Sequence, residues 1–226
     1  MLSEFLQLIY PNQCAICAEP ITFSDAQWCL TCDLRLPKTY LDPEYSPMHK
    51  ALGHLIPIKI GYAPYYFKKG NATQQLLHKL KYKNEQAIGN QLGHIIGDSL
   101  HGLVNVAQFD CIVPIPLHAS KLLIRGYNQA EVIASPIAQL LKIPLIKDCL
   151  QRNKTTTTQT KKSRYKRWTT IDEAFYISDV SVFEYKHVVL VDDVFTTGAT
   201  IGASLRELSK IRGIEISVVT AAIADY

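Results

Sequence analysis

The sequence predicts an α/β protein: a mostly parallel sheet with helices on both faces, preceded by a small cysteine-rich unit. Three observations carry that expectation. From Leu55 onward, short apolar runs alternate with segments of helical periodicity, the pattern of strand, helix, strand. The closing run "HVVLVDD" is continuously apolar, as a strand covered on both faces must be. Four of the six cysteines fall between Cys14 and Cys32, ahead of any of this. The 226 residues suffice for one α/β domain plus an accessory unit, and 47% hydrophobic residues supply a sizeable core.

Taken in order, Leu2, Phe5, Leu6 and Ile9 have helical spacing and predict a short amphipathic lead-in helix. The cysteine knuckles follow to about Leu36. Residues 37–54 hold three prolines and few apolar side chains, and read as a linker. "LIPIKIGYAPYYF", from Leu55 to Phe67, is strand-like. "TQQLLHKLKY" and "EQAIGNQLGHIIGDSL" are helical, with a break near Lys83 and Asn84. "FDCIVPIPLH", from Phe109 to His118, is a strand closed by prolines. "NQAEVIASPIAQLLK" predicts a helix capped by Asn128, with Glu131 in the capping-box position and a kink or break at Pro136. Residues 152–170 are polar, threonine-rich and basic, and predict a long loop. "HVVLVDD", a helix after Gly198 and "EISVVTAAIAD" close the chain.

Charge is unevenly distributed. Lys147 to Arg167 holds eight Lys/Arg and one acid, a net +7 that leaves −3 for the rest of the chain. A basic segment on a slightly acidic protein suits a polyanionic partner, and equally suits a solvated surface loop. No apolar run is long enough to span a bilayer, so no membrane insertion is expected. "MLSEFLQLIYP" has no basic n-region or long apolar core, so the expected location is cytoplasmic.

Cys14, Cys17, Cys29 and Cys32 form two C-x-x-C pairs separated by eleven residues. Each pair folds into a knuckle with both sulfurs facing one point, and two knuckles supply the four thiolates of a tetrahedral, structural zinc site. Two disulfides are the alternative, which a reducing compartment disfavours. "PITFSDAQW" between the knuckles is expected to form a hairpin with Trp28 over the metal. Cys111 and Cys149 read as ordinary apolar cysteines.

The most informative stretch is "VVLVDDVFTTGAT", Val188 to Thr200. A buried strand ends in two acids, and ligands of open α/β sheets bind beyond strand ends. The bend Thr196, Thr197, Gly198, Ala199, Thr200 then enters a helix, whose first amides and dipole favour a phosphate. The carboxylates would repel that phosphate, so they must face hydroxyls or a cation beside it. A ribose 5-phosphate meets both demands: Asp192 and Asp193 accept from the 2′- and 3′-hydroxyls while the bend holds the phosphate. A receiver-domain reading of "VLVDD" places the motif at the start of a fold, whereas here 33 residues follow Asp193. No G-x-x-x-x-G-K-[ST] run is present.

These thirteen residues resemble the phosphoribosyl-pyrophosphate (PRPP) motif of type I phosphoribosyltransferases, and the chain as a whole resembles the ComF family. "LIYPNQCAICAEPI…WCLTCDLRLP", "HKLKYKNE", "VPIPLHASKLLIRGYNQAEVIA" and "LQRNKTTTTQTKKSRYKRW…AF" carry the second likeness, the RGYNQA block most specifically. The resemblance implies a type I phosphoribosyltransferase-like (Rossmann-like) fold over residues 41–226, after a helix and four-cysteine zinc ribbon over residues 1–40. It implies a pyrophosphate turn at Pro114, Ile115, Pro116, Leu117 and His118, followed by Lys121 and Arg125. Lys121 stands where the family has arginine, keeping charge but losing the bidentate fork. It also implies a flexible hood over about 152–170, with Arg152, Thr155, Gln159 and Lys161 as contact candidates, and magnesium bound with PRPP. Asp192 and Asp193 would be the catalytic pair, stabilising a ribose ring that turns cationic as pyrophosphate leaves. No nucleophile or base pocket is identifiable, so turnover is open. The family name points to single-stranded DNA and competence proteins as partners, and a non-catalytic DNA-binding factor on the same scaffold is the alternative function.

Overall fold

The computed structural model describes residues 12–21, 26–152 and 175–225. The predicted lead-in helix and the greater part of the hood lie outside the described residues. A parallel sheet forms the centre. Its strands are β3 (Gly61–Tyr62), β4 (Tyr65–Phe67), β5 (Cys111–Pro114), β8 (His187–Phe195) and β9 (Glu215–Ala224). β9 pairs with β3 and β4 on one side and with β8 on the other, and β5 completes the order beyond β8, every pair parallel. The register sets Cys111 beside Val188 and Val188 beside Ile216. Two small antiparallel pairs stand apart: β1 (Asn12–Gln13) with β2 (Pro20–Ile21), and β6 (Leu150–Arg152) with β7 (Phe175–Ile177). The short helix α1 (Leu30–Arg35) carries Cys32 of the second knuckle.

Alternation along β8 divides the core. Val189 and Val191 point to one face, where α3 (Ala72–Tyr82), α4 (Gln86–Leu103) and α6 (Gln129–Leu141) cover them with Leu76, Leu80, Leu92, Ile96, Ile133 and Ile137. Val188 and Leu190 point to the other, against Met48 and Leu52 of α2 (Pro47–Leu52) and Ile201, Leu205 and Leu208 of α7 (Ala199–Leu208). These side chains are essentially inaccessible to water. Burial on both faces is the physical reason β8 could be read as one unbroken apolar run.

Several expectations are corrected. Residues 37–54 are no free linker: Lys38 bridges Tyr65, and α2 buries Met48 and Leu52 in the core. The run 55–67 is broken at Ala63 and Pro64, with only β3 and β4 as strands. β1 and β2 enclose the first knuckle, with Gln13 opposite Pro20; the hairpin expected between the two knuckles falls partly outside the described residues. α6 runs on through Pro136, so the helix does not break there. Pro136 packs toward Gly93 of α4, where a Cβ would stand 2.3 Å from its ring and from the Ile133 carbonyl, so glycine there permits the close helix contact. Asn128 caps α6 as expected, accepting from the Ala130 N–H at 3.2 Å, but Glu131 turns to Lys147 at 2.5 Å instead of completing a capping box.

At the opposite end of the sheet from the acids, His187 is buried, with Nε2 2.8 Å from the Ser217 hydroxyl and its ring edge-on to Phe109. Burial lowers its pKa below the usual 6.5, so the folded chain holds it neutral. The unfolded chain gains the proton first as pH falls through about 6.5, and stability is lost below that point. Replacing His187 with Gln is expected to flatten the fall in melting temperature between about pH 7 and pH 5, measured by calorimetry. An unchanged slope would show that another group governs it.

Candidate functional site

Neighbouring strands β5 and β8 send their chains to opposite faces: α6 packs on the Val189 face and α7 on the Leu190 face. A crevice opens beyond the strand ends where the layers part. It is a polar cleft of about 170 Å³, lined by Lys81, Ile115, Pro116, Leu117, Lys121, Arg125, Asn128, Gln129, Ala130, Arg152, Asp192, Asp193, Val194, Thr196 and Thr200. A second hollow of about 50 Å³ adjoins it, lined by Asp192 and Val194 through Ile201. Asp192, Val194, Thr196 and Thr200 belong to both, so the strand end and the bend open to one continuous space.

The two acids sit differently. Asp193 is only 9% exposed, and its carboxylate accepts from Lys81 Nζ at 3.0 Å and 2.9 Å through its two oxygens. Asp192 is half-buried; its Oδ1 accepts from the Asp193 backbone N–H at 2.8 Å. Burial, then the adjacent Asp193 charge, push the Asp192 carboxyl up to about 7, against the pull of that N–H, Lys81 and Arg152. Near neutral pH this group passes between donor and acceptor, which suits hydrogen bonding to hydroxyls.

The bend leads directly into α7. Gly198 has φ 72° and is the N-cap of α7. Thr196, Thr197, Ala199 and Thr200 are exposed. Geometry leaves the first amides of a helix without intrahelical acceptors. The Ala199 N–H makes a long contact, 3.4 Å, to the Thr197 hydroxyl.

Opposite stands the turn after β5. Ile115, Pro116, Leu117, Lys121 and Arg125 are in the cleft wall. Lys121 and Arg125 lie on α5 (Ala119–Arg125), a helix absent from the sequence reading. Arg125 is held by the Gln129 side chain at 2.7 Å and lies over the Tyr82 ring, 5.1 Å from its centre. Asn128 Nδ2 donates to the Ile115 carbonyl at 3.0 Å, pinning the turn to α6. Pro114 and His118 are not in the wall; His118 caps α5, its Nδ1 accepting from the Ser120 N–H at 3.2 Å. Of the hood candidates, Arg152 reaches the cleft from the end of β6, over the Phe175 ring at 5.2 Å. Thr155, Gln159 and Lys161 lie outside the described residues. Sequence reasoning missed Lys81 as a site residue. It lies 112 positions from its partner, and only its place in the quoted Leu-Lys-Tyr segment hinted at a role.

The four N-terminal cysteines converge, with all four sulfurs within 4.8 Å of one another and no disulfide among them. Cys17 and Cys29 are 3.8 Å apart, sulfur to sulfur. Ligands at about 2.3 Å on a tetrahedron are separated by roughly 3.8 Å, so the set fits a metal. Burial raises the Cys14 thiol, but N–H groups of Cys17, Cys29 and Ile16 aimed at its sulfur outweigh that and bring it down to about 6. Trp28 is buried beside them, donating to Asp33 at 2.9 Å.

Residues 128–225 match the phosphoribosyl transferase domain family. Over 147 residues the chain is 31% identical to competence protein F of Haemophilus influenzae, spanning 63% of this chain and 64% of that one. Over that span the chain is similar to competence protein F. A 30% identity over 129 residues links it also to the DNA utilization protein YhgH of Escherichia coli, over 56% of each chain. The chain thus spans less than two thirds of the length of these curated relatives. An adenine phosphoribosyl transferase from Trypanosoma brucei is 14% identical with a TM-score of 0.41, covering 84% of this chain and 87% of that structure. The match to the phosphoribosyl transferase domain family covers β8, α7 and β9, and so includes the acid pair and the threonine bend. Among the described residues no helix is long and apolar enough to cross a membrane.

Proposed function

We propose that this protein binds PRPP, or another ribose 5-phosphate, in the cleft beyond β8. One observation carries the reading: Asp192 and Asp193 open to the same space as the exposed bend Thr196–Thr200. The bend takes the 5′-phosphate through amides, hydroxyls and the helix dipole. The acids take the ribose hydroxyls. Lys121, Arg125 and Arg152, across the cleft, suit the pyrophosphate. Carboxylate oxygens suit magnesium, which is held by one or two carboxylates plus ligand phosphates and supplies charge neutralisation to a departing pyrophosphate. If phosphoribosyl transfer occurs, Asp192 and Asp193 orient the sugar and stabilise positive charge on its ring, while the basic wall holds the leaving anion.

The N-terminal unit, to about residue 40, holds a structural zinc through Cys14, Cys17, Cys29 and Cys32. Four thiolates leave no open position for substrate, and free thiols suit a reducing cytoplasm. The names of the relatives, competence protein F and DNA utilization protein, support a role in handling incoming DNA. A second reading follows from them: single-stranded DNA, with a terminal phosphate, uses the basic wall and the bend. Deoxyribose lacks the 2′-hydroxyl, so that reading leaves the acids with little to do.

Calorimetric titration with PRPP, with and without magnesium, tests the reading on wild type and on Asp192→Asn/Asp193→Asn. The expected result is wild-type binding and a loss of at least about a hundredfold in the double variant, since two charge-assisted hydrogen bonds are removed. Binding of a short single-stranded oligonucleotide, by contrast, should weaken steeply with salt and ignore the substitutions. Absence of PRPP and ribose 5-phosphate binding in wild type would overturn the assignment.

A further inference from the structure

The Lys81–Asp193 pair has a consequence for what the acid pair accepts. Lys81 is on α3, between the buried Leu80 and the exposed Tyr82, and its side chain is one fifth exposed. It grips both oxygens of Asp193, at 3.0 Å and 2.9 Å. That is the face of the carboxylate a divalent cation or a pair of hydroxyls would use. The surroundings add to this. The cleft wall carries Lys81, Lys121, Arg125 and Arg152 against Asp192 and Asp193, a formal excess of two positive charges. Such a cleft attracts an anion and repels a free cation.

We propose that Lys81 is a resident counter-cation that keeps Asp193 closed to free divalent metal and releases it to a ligand that brings an anion of its own. This rests on the reading of the cleft as a site for a phosphorylated pentose. Such a ligand offers hydroxyls to Asp193 and phosphate oxygens to Lys81, so the exchange replaces one ion pair by two charge-assisted contacts. A metal arriving alone has nothing to offer the displaced ammonium. Lys81 thereby sets order: metal enters with the polyphosphate, not ahead of it. The ordinary alternative is a tether that only fixes α3 to β8.

Manganese, followed by its electron paramagnetic resonance signal, is the probe, in the absence of any sugar phosphate. Wild type and Lys81→Arg, which keep the charge, are expected to take up little; Lys81→Met should bind manganese at least about tenfold more tightly, because the Asp193 carboxylate loses the ammonium that occupies both its oxygens. Asp193→Asn in the Lys81→Met background should cancel the gain and so locate it. Equal manganese affinity in Lys81→Met and wild type overturns the proposal, as does tight uptake by wild type alone. Should Lys81→Met not fold, Lys81→Gln and the wild-type titration decide in the same way. Adding PRPP to wild type is then expected to bring manganese in. Failure of that arm alone, with the Lys81→Met gain intact, would refute the choice of ligand and leave the role of Lys81 standing.

Discussion

Replacing Cys32 with Ser is expected to abolish zinc binding and to remove the N-terminal unit from the cooperative fold. Wild type should carry about one zinc per chain and the variant none, by atomic emission. The physical case is that the unit has little core of its own. Among the described residues it has two two-residue strands, a six-residue helix and a few buried side chains, chiefly Cys14, Trp28, Cys32 and Leu36. Metal binding at such sites contributes roughly 10 kcal/mol or more, and that energy is folding energy. Burial and the neighbouring thiols raise Cys32 well above the usual range, so without a metal the cluster holds it protonated. The loss should spread. Trp28 and Leu36 share a core cluster with Leu76, Leu80 and Leu92, and the Gln27 N–H donates to Gln91 at 2.5 Å. A drop in melting temperature, and exposure of Trp28 to a fluorescence quencher, would register this. Full zinc content and an unchanged melt in the variant would refute the metal site.

The second large effect is expected at Gly198. Its φ of 72° lies in the left-handed region, and a Cβ there would stand 2.9 Å from the Phe195 ring and 3.3 Å from Leu52. A β-branched residue meets both penalties: roughly 1–2 kcal/mol for the backbone and about 1–3 kcal/mol for overpacking. Gly198→Val should therefore lower stability by about 3 kcal/mol in urea titration. The binding loss should be greater, because relief comes only by turning the bend and misaligning its amides with the phosphate. Gly198→Ala separates the two terms, meeting the same ring with less bulk. Retention of PRPP affinity in Gly198→Val would mean that the bend does not hold the phosphate.

What could be read from the sequence depended on whether the signal was local. The paired acids and the Thr-Thr-Gly-Ala-Thr bend are contiguous and the four cysteines fall in two close pairs, so their chemistry follows from neighbours in the chain. The break between α3 and α4 was equally local, because Asn84 takes φ 57° there. α2 was missed since prolines dominate residues 37–54, and only Met48 and Leu52 signal burial, two side chains being too few for a period. α5 was missed because Leu122, Leu123 and Ile124 are exposed, so its apolar content reported no core face. The correct fold class survived both errors, since the doubly covered strands β8 and β9 fix the sheet. The site was half legible: the acids and the bend were, whereas the cation on Asp193 was not. A lysine beside buried Leu80 looks like any side chain lying along an apolar surface, and only the packing of α3 against β8 reveals its partner.

Recognition of hydroxyls by the acid pair, alongside recognition of phosphate by the bend, is the central claim. Ribose 5-phosphate and 2-deoxyribose 5-phosphate differ in one of those hydroxyls alone. Calorimetric titration of both against the wild-type protein should show ribose 5-phosphate bound at least about tenfold more tightly, the contribution of one hydrogen bond to a carboxylate. Equal affinity for the two sugars, or binding to neither, would contradict it.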